Sequence, residues 1–169
     1  MTQPHAHAGA APPQRRNAAE QAKLDAHLVE MFEKSITFNQ VLGLRVDSVA
    51  CGDVRGHFDM RPELVGHFTY GRLHGGAITS VLDAFGGLVL MVEIAERHPT
   101  DSALQALQRF ARLGTIDLRT DFLRPGLGKR FMASAEVTRL GGRVGSTQMK
   151  LANEAGEIIA TGAASYIVS

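Results

Sequence analysis

From Asn17 onward the chain moves between two hydrophobic rhythms. "AAEQAKLDAHLVEMFEKS" sets Leu24, Leu28, Met31 and Phe32 on one stripe at helical spacing. Asn17 stands where a side-chain oxygen caps a first turn, so the pattern predicts an amphipathic helix running to Ser35. "FNQVLG" predicts a short helical turn closed by Gly43, and "LRVDSVA" and "DVRGHFDM" alternate apolar and polar residues around Cys51-Gly52, the pattern of a hairpin. Arg61 to Leu73 is rich in turn formers and reads as a loop. The stretch from about Gly75 to Arg97 is apolar on nearly every side, which predicts a helix buried all round rather than displayed on a surface.

"HPTDSALQALQRFARLG" then intervenes. Asp101 or Ser102 can cap a short helix with Leu104, Leu107 and Phe110 as its apolar stripe. Four strand candidates follow: "TIDLRTDFLR", "KRFMASAEVTRL", "RVGSTQMKLAN" and "EIIATGAASYIVS". They are separated at Pro125-Gly126, Gly141-Gly142 and Glu154-Ala155-Gly156. In the first, Ile116, Leu118, Thr120 and Phe122 fall on one face and Asp117, Arg119 and Asp121 on the other, as in a sheet covered on one side. Six strands and one wholly apolar helix are best buried as an α+β layer: a curved antiparallel sheet wrapped around the central helix, with an extra helix at the N-terminal side.

Composition narrows the function classes. The 169 residues fit one domain, expected over residues 17–169, and 44% hydrophobic with 21% charged residues is ordinary for a globular chain. A formal net charge of +1 offers no basic stripe for nucleic acid or an anionic membrane. The single cysteine, Cys51, has no internal disulfide partner, which fits a reducing, cytoplasmic setting. Residues 1–16, "MTQPHAHAGAAPPQRR", lack the apolar core of a secretory signal and are expected to be a disordered tail. His5 and His7 on that tail make a poor metal site, and no metal or organic cofactor is expected. The uncharged run after Asp83, Ala84 to Val92, falls far short of the ~20 residues a membrane span needs.

The chemistry concentrates in "YGRLHGGAITSVLDAFGG". The opening N–H groups of a helix are unpaired and its dipole favours negative charge there, so His74-Gly75-Gly76 at the mouth of the long helix can receive an oxyanion. The glycines also let a ligand approach that backbone closely. A carboxylate within a buried helix is uncommon unless paired or functional, which makes Asp83 the candidate base or nucleophile, with a salt bridge to Arg72 or Arg119 as the structural alternative. Gly75 and Asp83 are eight residues apart (83 − 75), so about 12 Å along one helix. Both must come within about 3 Å of one reacting group. Two antiparallel copies meet that demand more easily than one straight helix, which points to a site shared across a two-fold interface. Gly86-Gly87, costly within a helix, implies close approach of a neighbour, room for a ligand, or a kink.

These motifs resemble the hotdog-fold acyl-CoA thioesterases, in the PaaI-like branch and within it the YigI-like group. The resemblance rests on "FNQVLGL", "LVGHF", "LHGGAITSVLD", "GTIDLRTDFLRPG" and "TGAASYIVS", which together span about residues 38 to 169. It implies hydrolysis of an acyl-CoA to a free acid and coenzyme A without a cofactor; the apolar helix and the Leu104-Leu107-Phe110 insert fit a medium- or long-chain acyl group, with an aromatic ring as the alternative. It also implies homodimers joined sheet edge to sheet edge, or dimers of dimers. Gly75 matches the family's oxyanion donor, and Thr115 the position where related enzymes place a hydroxyl that orients the attacking water. His67 stands where many relatives carry Asn, and His74 is expected to fix the loop by hydrogen bonding. Gly76, Arg124, Arg139, Arg143 and Lys150 are the candidates for holding the coenzyme A moiety. Residues 101 to 112 are expected to cover the acyl end of the site. The rival readings are a hotdog enoyl-CoA hydratase or dehydratase, which needs an acid/His pair, and a non-catalytic acyl-CoA sensor.

Overall fold

The computed structural model describes residues 15–169. The expected tail therefore lies outside the described residues as far as residue 14, and with it His5 and His7. Arg15 and Arg16, assigned to that tail, are bound to the folded chain. The Arg16 guanidinium donates to the carbonyls of Ala95 (3.0 Å), His98 (3.3 Å) and Asp101 (2.7 Å).

Helix α1 (Ala18–Glu30) starts where expected, with the Asn17 side chain accepting from the Glu20 N–H. It does not run on to Ser35 as a regular helix. Residues Met31–Ser35 form a π-turn, and α2 (Thr37–Leu42) follows and ends at Gly43. The wider turn drops Phe32 inward, where its ring meets Phe85 edge-on with centroids 5.1 Å apart.

Strands β1 (Arg45–Ala50) and β2 (Asp53–Asp59) form the expected hairpin. The segment read as a plain loop carries a short hairpin of its own, β3 (Val65–His67) with β4 (Arg72–Leu73). It leads directly into α3 (Gly75–Arg97), then α4 (Ala103–Arg109), β5 (Gly114–Phe122), β6 (Arg130–Leu140), β7 (Val144–Asn153) and β8 (Ile158–Ile167). The main sheet has the order β1-β2-β6-β7-β8-β5, antiparallel throughout, so β1 and β5 are its edges.

The sheet curls around α3 and buries it. By length and composition α3 would pass for a membrane-crossing helix, yet twelve of its residues are packed inside the domain. Close approach is built into the sheet. A Cβ at Gly56 on β2 would overlap the Phe85 ring, and the inner face of β8 presents Ala160, Gly162 and Ala164 before its one large residue, Tyr166. This is the hotdog architecture, with α1 as an additional N-terminal helix.

Two expectations for single elements change. In α4 the buried residues are Ala103 and Ala106, with Phe110 just beyond, while Leu104 is 67% exposed. The helix turns its small residues inward because it lies flat against α1, where a leucine would hold the two apart. In β5 a bulge between Thr115 and Asp117 resets the alternation, so Ile116 points out while Leu118 and Thr120 face in.

Candidate active site

Asp83 sits in the third turn of α3, half-buried. Neither proposed cation reaches it: among the described residues no Lys, Arg or His lies within 4.0 Å of its carboxylate. Its partners are two hydroxyls. Thr115 Oγ1 donates to Oδ1 at 2.8 Å, and the Tyr166 phenol lies 3.1 Å from the same oxygen and 2.9 Å from the Asp83 carbonyl. Thr115 and Tyr166 are direct cross-strand neighbours on β5 and β8, so the sheet delivers both hydroxyls side by side onto one turn of the helix. The β5 bulge makes this possible. Were the strand regular through Ile116, the odd separation would put Thr115 on the face opposite Leu118 and Thr120.

Tyr166 is only 2% exposed. Burial first, then the adjacent Asp83 carboxylate, pushes its phenol far above the ordinary tyrosine range, so it remains protonated as a donor at all physiological pH values. Sequence reading places this residue within "TGAASYIVS" but gives it no role. The available signal is a single large polar aromatic closing an inner stripe of small residues.

Asp83 and Thr115 stand at the head of a cavity of about 260 Å³. Its floor is the face of α3 formed by Asp83, Ala84, Gly87, Leu88 and Met91. Its roof is Phe32, Ile36, Phe38 and Asn39 from the π-turn and α2, and Leu113, Gly114 and Tyr166 close the side. Asn39 is buried and ties roof to π-turn through Nδ2 to the Phe32 carbonyl at 2.9 Å. The wall is mostly apolar, with Asn39, Ser80, Asp83, Thr115 and Tyr166 as its polar members. This is the form of a site that takes a chain by its body and a reactive group by its head.

Residues 70–160 match the family model of the thioesterase superfamily. The chain is also 40% identical over 139 residues to the medium/long-chain acyl-CoA thioesterase YigI of Escherichia coli strain K12, covering 82% of this chain and 90% of that one. The chain belongs to the thioesterase superfamily. Among solved structures, a Shewanella oneidensis protein related to the thioesterase superfamily is 35% identical with a TM-score of 0.83, over 91% of this chain and 100% of that one. A mutant of the phenylacetic acid degradation protein PaaI from Thermus thermophilus shares the fold at 20% identity, with a TM-score of 0.62 over 79% of this chain and 99% of that one.

The remaining residues of this thioesterase that sequence reading singles out fall into three places. At the helix mouth, His74 caps α3: its Nδ1 accepts from the Gly76 N–H at 2.8 Å and its carbonyl accepts from Ile78 at 3.1 Å. The cap commits the Gly76 N–H to His74. The Gly75 N–H has no acceptor among the described residues, and a Cβ at Gly75 would lie 3.4 Å from the Phe122 ring. His67 is exposed on the β3–β4 hairpin, its ring against Phe68 and Tyr70 (centroids 5.8 and 4.8 Å away).

Within one chain Gly75 and Asp83 are held apart by the unbroken helix that carries both. The cations do not converge either. Arg124 lies past the far end of β5 and binds the Ile158 carbonyl at 2.9 Å, roughly 30 Å along an extended strand from Thr115. Arg139 and Arg143 flank the β6–β7 turn at the end of the sheet that holds Tyr166, and Lys150 lines a shallow polar depression with Ser134 and Gln148. The 101–112 segment contributes nothing to the cavity wall. It is docked on α1 through Ala103 N–H to Glu20 (3.2 Å) and held from the residue before Asn17 by Arg16 to the Asp101 carbonyl (2.7 Å), while Arg109 to Asp101 (2.5 Å) braces it internally, which corrects its expected role as a cover.

Proposed function

We propose that this thioesterase hydrolyses medium- or long-chain acyl-CoA, with Asp83 as the base or nucleophile. The observation that carries the reading is an Asp83 carboxylate that no cation reaches among the described residues, held by two hydroxyls in the wall of a mostly apolar cavity. The activity named for the YigI relative supports the substrate class. Water adds to the thioester carbonyl as Asp83 takes its proton. The carbonyl electron pair moves onto oxygen, and collapse of the tetrahedral species breaks the C–S bond. Coenzyme A leaves as the thiolate and takes the proton, giving one acid and one thiol per water consumed. Attack by Asp83 itself breaks the C–S bond, releases coenzyme A as the thiolate and leaves an anhydride; water opens it, restoring the Asp83 carboxylate and supplying the thiol proton, to the same products.

The oxyanion donor in this reading is Gly75 of a second copy. β5 is an edge strand nine residues long that exposes Ile116 and Phe122, an unpaired edge of the kind natural proteins cover. The Thr115 end of β5 lies by Asp83, and the Phe122 end lies by Gly75. Antiparallel pairing of two β5 strands about a two-fold axis therefore lays the Gly75 end of one chain beside the Asp83 end of the other, twice. This resolves the 12 Å separation without bending the helix.

A hydratase would need a histidine beside the acid, and among the described residues none lines the cavity. The test is thiol release from a panel of acyl-CoAs by the native protein and by Asp83→Asn. Native turnover falling by at least about a thousandfold in a folded variant is expected for loss of a base or nucleophile. Micromolar acyl-CoA binding with no thiol released by the native protein would instead favour the sensor.

A further inference from the structure

Among the described residues, the protein partners of the Asp83 carboxylate all fall on one oxygen. Thr115 Oγ1 (2.8 Å) and the Tyr166 hydroxyl (3.1 Å) both address Oδ1, and neither addresses Oδ2. The same phenol is 2.9 Å from the Asp83 carbonyl, so its one proton is shared between side chain and main chain of a single residue. That contact fixes the carboxylate relative to the helix as well as relative to the sheet. The adjacent glycine is part of the arrangement. A Cβ at Gly86 would overlap the Tyr166 hydroxyl and stand 3.1 Å from both Met149 Sδ and Thr147 Oγ1. Gly87, one residue on, meets nothing closer than a Leu113 methyl at 3.7 Å. The two helical glycines thus have separate causes, and Gly86 is the one that admits the phenol.

We propose that Tyr166 is a positioning residue: with Thr115 it pins Oδ1 of Asp83 and leaves Oδ2 as the reacting atom, and Gly86 exists in the helix to let it do so. The inference rests on the reading of Asp83 as base or nucleophile. The surroundings add no competing charge. β7 offers Thr147 and Met149, β5 offers Thr115, the π-turn and α2 offer Phe32 and Asn39, and among the described residues no ion pair reaches Asp83 from any of these elements. The phenol itself, buried and held protonated, is a donor and not an acid in the cycle.

The test compares Y166F, G86A, the double variant G86A/Y166F and D83N on dodecanoyl-CoA, with kcat, KM, the pH profile of kcat/KM and thermal unfolding measured for each. Y166F removes one donor to a charged acceptor and is expected to lower kcat about ten- to a hundredfold with KM changed less than about threefold. The acid limb of kcat/KM should move to higher pH, because the charged form of the site has lost a hydrogen bond. G86A keeps the phenol but displaces its hydroxyl, so it should reproduce both effects. The double variant should be no slower than Y166F alone, since without the hydroxyl the added methyl has less to displace. Should Y166F prove poorly folded, the pH profile of G86A carries the same test. A Y166F enzyme with native kcat and profile, or Y166F and G86A losses that multiply, overturns the positioning role. An inactive D83N beside such a Y166F leaves the Asp83 reading standing and removes only this inference; an active D83N removes both.

Discussion

Gly87→Leu is expected to shorten the range of acyl chains the enzyme accepts without harming its chemistry. Asp83, Gly87 and Met91 are spaced four residues apart and line the same cavity, so they stack along one face of α3 about 6 Å apart. A polypeptide residue spans ~3.5 Å over three backbone bonds, so an extended carbon chain advances about 1.2 Å per bond. About five carbons reach from the Asp83 level to Gly87, and about five more reach Met91. A leucine at 87 would fill the channel between them. Each methylene left unburied forfeits about 0.8 kcal/mol, so five amount to about 4 kcal/mol, or roughly a thousandfold in kcat/KM if none finds another path. Partial escape of the chain toward solvent lowers this to about a hundredfold. The fold should tolerate the change: the nearest neighbours of the new Cβ, Leu113 and Tyr166, lie 3.7 and 4.0 Å away, and leucine is about 0.8 kcal/mol better than glycine in a helix. The assay is coenzyme A release from butanoyl- through hexadecanoyl-CoA. Butanoyl- and hexanoyl-CoA should stay within a few-fold of native while dodecanoyl-CoA and longer fall steeply. The same loss at every length, or no loss at any, would refute the path of the chain along α3.

The shared site can be tested by complementation. Gly75→Pro removes the oxyanion N–H at a first helical position where proline is tolerated, so a mixed dimer of this variant with Asp83→Asn should recover about half of native activity per isolated heterodimer, whereas a site built within one chain would leave it at background. At the other end of the molecule, Arg16→Ala should lower stability by about 1–3 kcal/mol, read as a Tm shift of about 2–10 °C, because the guanidinium holds three carbonyls at the end of α3 and in the turn before α4. Since that clasp is remote from the cavity, turnover at 25 °C should be unchanged.

Much of the fold was legible because burial writes itself into periodicity. The long apolar helix could only be a wrapped core, and the strand and turn signals after Gly114 located β5 through β8 with their turns. Of the features that were not legible, three show the physical reason plainly. A β-bulge adds a residue without changing composition, so the alternation in "GTIDLRTDF" placed Ile116 on the inner face and left Thr115 opposite. A π-turn preserves the helical look of "MFEKS" while changing which residues face inward. The stripe of α4 was assigned by hydrophobicity; Leu107 and Phe110 do pack on the core, but packing against α1 selected for size and took Ala103 and Ala106 in place of Leu104. At the site, the helix mouth and Asp83 were visible as conflicts with their surroundings. Tyr166 raised no such conflict, since a tyrosine in a strand is ordinary. Its role depends on a partner 83 residues away in the chain.

That β5 is bonded to the sheet on one side only has a consequence for how long the site stays intact. Strands at a free edge open at a fraction of the free energy that unfolds the whole domain. Each such excursion carries Thr115 away from Asp83 and wets the channel, though α3 and the other five strands stay in place. A partner strand bonded along the outer edge would make those openings rarer without touching any reacting atom. Assembly would then set the fraction of time each copy is competent as well as supply a missing donor, and a solitary copy would spend part of its life folded and idle.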